Sequence, residues 1–257
     1  MTLASDTWHV FIRYLKKLIR NPILLFFSLF QPIIFLVLFT QLLTNLSNFP
    51  GILPKGVSYL EFATAGILLQ NAFGSALQSG NSIVFDIDSG FLQKMLVTQV
   101  SRSAILLGRL TSDAFRVVVQ SAIILGLAYV LGASVATGIL GILLIFFTIA
   151  FFGLAWSGIS LALGMRTRSA ETVFAIGGFL TFPLLFLSPA LFPITFLPDW
   201  VQNVSMFNPV SYAINAIRTL MTNGFDWTVI LPAWGVIGLV AILTLGATLY
   251  QFRKVVS

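Results

Sequence analysis

The sequence predicts an all-α membrane protein. It has six transmembrane helices, a cytoplasmic amphipathic helix before the first, and an outer re-entrant helical hairpin between spans five and six. Three observations predict this. Lys and Arg number 14 and Asp and Glu 8, together 9% of 257 residues, against 58% hydrophobic. A water-soluble domain carries about 25% charged residues, so a soluble enzyme and a nucleic-acid binder are excluded despite a net charge of +6. Next, six stretches reach or approach the ~20 apolar residues that cross a bilayer: 23–43, 59–85, 117–131 with a charged helical extension before it, 138–163, 172–191 and 227–252. Last, the basic residues are split. Arg13, Lys16, Lys17, Arg20, Lys94, Arg102, Arg109, Arg116, Arg166, Arg168, Arg253 and Lys254 fall on one side, Lys55 and Arg218 on the other. Basic loops stay in the cytoplasm, so both termini of a multi-pass plasma-membrane protein are expected there. Trp200, Trp227 and Trp234 gather near the outer face as an aromatic belt.

Residues 4–20 read as an interfacial helix. Trp8, Phe11, Ile12, Leu15, Leu18 and Ile19 recur at helical spacing, with His9, Arg13, Lys16, Lys17 and Arg20 opposite. The cations are expected to face anionic headgroups. Asn21-Pro22 breaks this helix before the first span. The second span is rich in small and polar residues. Gln31, Gln41, Gln70, Asn71, Gln78, Asn81 and Ser82 place polar groups in or near the first two spans. Polar residues at that depth face a cavity or a neighbouring helix. Gln31, Gln70, Asn71 and Gln78 are the candidates for a substrate path.

Residues 86–97 form a short loop that presents Phe91, Leu92, Met95 and Leu96 beside Gly90. Such a segment either docks an apolar face into a soluble partner or dips into the headgroups. Arg102, Arg109 and Arg116 then repeat every seven residues. Asp113 is placed to pair with both of the last two, as in a charged stalk or a snorkelling helix end. Residues 192–226 carry two helix starts, Pro198-Asp199-Trp200 and Asn208-Pro209. In the second, Asn is the N-cap and Pro the first helical residue; Asn223-Gly224 ends that helix. At about 21 Å it is too short to cross.

No Cys and a single His, His9, leave no multi-His metal site, triad or thiol nucleophile, so no catalytic or metal residue is expected. An ion-coupled carrier keeps titratable groups at mid-membrane. Here Glu61, Asp113 and Glu171 lie near span ends, which disfavours that class.

Across nearly its whole length the chain resembles the membrane subunit of a type-2 ABC exporter, of the daunorubicin-resistance and polysaccharide-export type. The resemblance rests on Arg20-Asn21-Pro22 with Gln31-Pro32, on Asp88-Ser89-Gly90-Phe91-Leu92 with Ser101-Arg102 and Leu106-Leu107-Gly108-Arg109, and most specifically on Leu197-Pro198-Asp199-Trp200 and Phe207-Asn208-Pro209-Val210-Ser211-Tyr212-Ala213. The family pattern has an acidic residue near Phe91 and a Pro near Gln99; this chain has Gln93 and Val100 there. The resemblance implies a single domain over 1–257 that exports a lipophilic drug-like molecule or lipid, the alternative being a polysaccharide or glycolipid. It implies ATPase coupling through Asp88, Gly90, Phe91, Leu92, Lys94, Met95 and Arg102, and an outer gate at Pro198, Trp200, Asn208, Pro209 and Tyr212. No G-x-x-x-x-G-K loop is present. ATP and Mg are therefore expected on a separate ATP-binding cassette subunit, in two copies, with a second permease copy, identical or related, completing the path.

Overall fold

A computed structural model describes residues 3–43, 53 and 57–256; Lys55 lies outside the described residues. The described residues are helical, with no strand among them. The helices are α1 (Leu3–Ile19), α2 (Pro22–Leu42), α3 (Tyr59–Asp88), α4 (Phe91–Leu96), α5 (Arg102–Val130), α6 (Gly138–Thr167), α7 (Ala170–Phe186), α8 (Asp199–Ser205), α9 (Pro209–Thr222) and α10 (Trp227–Val256). A 3-10 turn, Ile194–Phe196, precedes α8.

Local chemistry sets the starts. Ser58 and Glu61 form a reciprocal capping box at α3. The side chains of Ser101, Ser169 and Asn208 accept from backbone N–H groups of α5, α7 and α9. Gly90 separates α3 from α4 in the left-handed region, φ 68°, where a side chain is strained.

Four stretches are long and apolar enough to cross a membrane: Leu25–Leu42, Arg102–Val130, Gly138–Thr167 and Trp227–Lys254. The expectation of six meets two exceptions. At 17 residues, α7 is apolar but short, and α3, at 30 residues, is too polar to qualify by composition. The reason for the second lies in the packing: α3 touches α2, α5, α6, α7 and α9, so most of its surface meets protein rather than lipid. Close crossing needs small residues. A Cβ on Gly80 would lie 2.2 Å from the Ser160 hydroxyl of α6, and that hydroxyl accepts from the Gly80 N–H. Phe73 of α3 packs edge-on against Phe152 and Trp156 of α6 at 5.0 and 4.6 Å. Apolar side chains of α2, α7 and α10, such as Phe26, Phe179 and Ile242, point outward, as lipid-facing surface does.

Candidate functional site

The four amides singled out in the sequence come together. Gln31, Gln70, Asn71 and Gln78 all line one cavity of about 600 Å³ between α2, α3, α5 and α7. Phe27, Phe73, Leu77, Phe182 and Leu185 supply its apolar wall. Three lining residues were not legible as such: Gln120 and Arg116 on α5, and Thr181 on α7. Among the described residues, Asn71 Nδ2, Gln120 Oε1 and Thr181 Oγ1 are buried with no hydrogen-bond partner. A buried polar group left unmatched costs roughly 1–3 kcal/mol. Such groups on a cavity wall suit a guest that brings hydrogen-bonding atoms on an apolar body. The helical period of α3, which places residues 70–71, 74 and 78 on one face, was the available signal.

A second cavity, of about 440 Å³, shares Leu18, Asn21, Gln78 and Arg116 with the first and extends towards α1. Asn81 and Ser82 line it, and both Asn81 amide atoms lack a partner. Gln41 lies apart, in a smaller pocket beside Tyr59. The second cavity adjoins a buried ionic cluster. Asp86 accepts from Arg109 at 2.9 Å, Lys17 at 3.0 Å and the Tyr14 hydroxyl at 2.9 Å, with Arg13 at 4.0 Å. Arg109 also donates to Tyr14 and to the Ser79 carbonyl. Arg116 pairs with Asp113 at 3.2 Å and bonds Ser75, and the Ser79 hydroxyl donates to Asp113. Burial in this cluster raises the Tyr14 pKa.

These contacts correct two expectations. Arg13 and Lys17 turn onto Asp86 rather than headgroups, because the inward face of α1 is Asp6, Val10 and Tyr14; Trp8 is exposed. Arg109 and Arg116 are buried against α3, so α5 is no solvated stalk, and Arg109 bonds Asp86 rather than Asp113.

The segment 86–97 resolves into the end of α3, a turn and α4. Leu92 and Met95 are corrected as well. Both are buried in their own chain, in a cluster with Ile83, Ile87, Ile105, Leu106 and Phe252. The surface offered outward is Gln93, Lys94 and Val97, with Asp88 and Arg102 also exposed. Phe91 lies under Arg13, whose guanidinium sits 3.3 Å from the ring centre. At the opposite end, Asn208 is buried. Its Oδ1 accepts from the Val210 N–H, and its Nδ2 donates to the carbonyls of Leu184 and Leu187, tying α9 to the end of α7. Pro209 is the first residue of α9. Tyr212 donates to the Met206 carbonyl. Trp200, on α8, is exposed, and Pro198 precedes that helix.

A cavity that pairs amide groups with an apolar wall, among helices apolar on their outer faces, suits a membrane transport protein. Residues 5–222 match the family described as ABC-2 type transporter, and the chain belongs to that family. It is 32% identical over 244 residues to a daunorubicin resistance ABC transporter permease, DrrB1, of Streptomyces coeruleorubidus, covering 94% of this chain and 84% of the relative. It is 31% identical over 235 residues to a protein of Porphyra purpurea named as a transport permease, ycf38, covering 88% and 78%. Nodulation protein J of Rhizobium leguminosarum bv. trifolii is 30% identical over 168 residues, covering 65% and 63%. Family membership makes the chain a multi-pass permease subunit and implies an ABC ATPase partner.

Proposed function

We propose that the chain is the permease of an ATP-driven exporter moving a lipophilic, drug-like molecule or a lipid out of the cytoplasm or inner leaflet. The observation that carries this is the cavity in which four amides and an apolar wall meet. The names of the drug-resistance relatives support the substrate class. In this reading α3 and α7 complete six spans. At about 45 Å α3 is long enough, and its polar residues face the cavity and the neighbouring helices. α8 and α9 form the outer re-entrant hairpin and gate, and both termini are cytoplasmic. A second permease copy, identical or related, completes the path. Two ATPase subunits, which bind ATP and Mg, dock near α1 and α4.

The test is reconstitution of the permease with its ATPase in liposomes. Candidate lipophilic substrates should stimulate ATP hydrolysis and be exported. Asn71→Leu combined with Gln78→Leu should raise the half-maximal substrate concentration about tenfold, the loss of one to two hydrogen bonds. A parental response in that variant removes the cavity from the path.

A further inference from the structure

We propose that the end of the bundle opposite α1 and α4 holds a binding site for one anionic oxygen group, a phosphate or carboxylate, centred on Arg218. Among the described residues Arg109 and Arg116 are buried and Arg218 is half-buried. Arg109 meets Asp86 and Arg116 meets Asp113, but Arg218 meets no carboxylate among the described residues. Its Nη2 donates to the carbonyls of Pro189 at 2.6 Å and Phe62 at 3.3 Å, and its plane lies 3.6 Å from the Phe62 ring centre. Its Nε is buried without a partner. Residues 44–56 contain no Asp or Glu. Of the acids nearest in sequence, Asp226 bonds Thr228 and Asp199 is exposed at the start of α8 without an ion pair among the described residues, while Glu61, beside Phe62, bonds Ser58 and Ser134. Carbonyl oxygens accept hydrogen bonds but do not neutralise a cation.

The uncompensated charge borders a cavity of about 720 Å³ lined also by Thr195, Gln202, Tyr212 and Asn215. That volume holds a phosphate with part of its carrier, and Thr195, Gln202 and Asn215 carry neutral donors around it, the Tyr212 hydroxyl being committed to the Met206 carbonyl. With Nη2 engaged by the two carbonyls, the Nη1 N–H groups remain to meet an anion's oxygens by charge-assisted hydrogen bonds. Burial, eased by neighbouring Tyr59, pulls the Arg218 pKa down to about 9, which leaves the group cationic at neutral pH and without a fixed counter-charge. Two sources present the same chemistry: the headgroup of an anionic lipid, and a free phosphate or carboxylate on the water side.

The experiment is thermal unfolding of the full chain in a neutral detergent, followed by Trp fluorescence. Sodium phosphate is compared with sodium chloride at equal ionic strength, and micelles doped with phosphatidylglycerol with micelles doped with diacylglycerol. Ligand bound only by the folded state raises Tm, here by about 5 °C at saturation for a chain of this size. A rise with phosphate alone assigns a soluble anion, a rise with phosphatidylglycerol alone assigns a lipid headgroup, and a rise with both assigns a general oxyanion site. Arg218→Gln should abolish the rise. Asn215→Asp should do the same without disturbing the fold, because Asn215 is exposed, lines the same cavity, and lies one turn from Arg218. No rise in the parent with either ligand overturns the proposal, as does an undiminished rise in Asn215→Asp. The readout is binding to the permease alone, so it is separate from export.

Discussion

The two ends of the bundle hold arginines in opposite ways. Near α1 and α4, Arg109 and Arg116 sit against Asp86 and Asp113, and Lys17 and Tyr14 complete the cluster. Near α8 and α9, Arg218 sits against two carbonyls and a phenyl ring. In the first case Asp86, Arg109, Asp113 and Arg116 each have an opposite charge within 4 Å, so α1, α3 and α5 are joined by an ionic cluster, although Asp6, also buried, accepts only from the Ser101 N–H. In the second the charge is held by backbone and left unneutralised beside a cavity. A compensated cluster resists change, because removing one member strands the others. An uncompensated one is open to a guest.

The largest expected effect breaks the compensated end. Asp86→Asn takes from Arg109, 3% exposed at the side chain, the carboxylate it bonds, leaving it only the attraction of Asp113, and frees Lys17, which is 40% exposed and contributes little. Stranding one buried charge costs about 3–5 kcal/mol. Asp88→Asn, two residues on and solvent-exposed, should be nearly silent. Thermal unfolding in detergent separates them, and a melt of Asp86→Asn within a degree of Asp88→Asn would show that the cluster does not hold α1 to α3.

The next effect sharpens the other end. Read from the sequence, Asn208 is a helix cap worth about 1 kcal/mol. In the structure it also clasps α7 through Leu184 and Leu187, so Asn208→Ala should cost about 2–3 kcal/mol, with the orphaned buried groups adding to the lost cap. Asn208→Asp keeps the cap oxygen and loses both donations. If it melts with the parent, the clasp to α7 contributes nothing and only the cap matters.

Much of this was legible in one sequence, for physical reasons. Span positions follow from length and apolarity, and the observed helices start and stop within a few residues of 23–43, 138–163 and 227–252. That the four amides would share a protein-facing cavity was legible because a polar residue inside an apolar stretch has to face inward. What failed was the choice of partner. A helical wheel shows that Arg13 and Lys17 share a face, but not that protein rather than lipid lies on it. The seven-residue repeat of Arg109 and Arg116 places them on one side of α5, yet Asp86 is 23 residues from Arg109 and reaches it only because α3 turns back through α4. Arg218 was counted as a topology charge, and nothing local marks it as deprived of a carboxylate.

The smallest effect concerns α4. Read from the sequence, Phe91 either docks into a soluble partner or dips into the headgroups, and in the first case a carboxylate there would be stranded. The structure places the Arg13 guanidinium 3.3 Å from the Phe91 ring centre, and the Arg13 side chain is 32% exposed. A carboxylate at 91 would therefore find a cation, and Phe91→Asp is a poor test of docking. Phe91→Leu is better: it removes only the cation–π contact, about 0.5–1 kcal/mol at an exposed site, and keeps an apolar side chain. It should lower the melting temperature by a degree or two and leave recovery of the ATPase complex near the parent. Val97, 87% exposed, and the neighbouring Lys94 form the surface that faces away from the chain. Val97→Asp with Lys94→Glu should cut recovery of the complex several-fold while the isolated permease melts normally, because both side chains lie outside its own packing. Co-purification of the two subunits measures this directly. Should Phe91→Leu lose the ATPase while the Val97 and Lys94 variant retains it, the docking surface lies on the Arg13 side of α4 and the outward residues are solvated only.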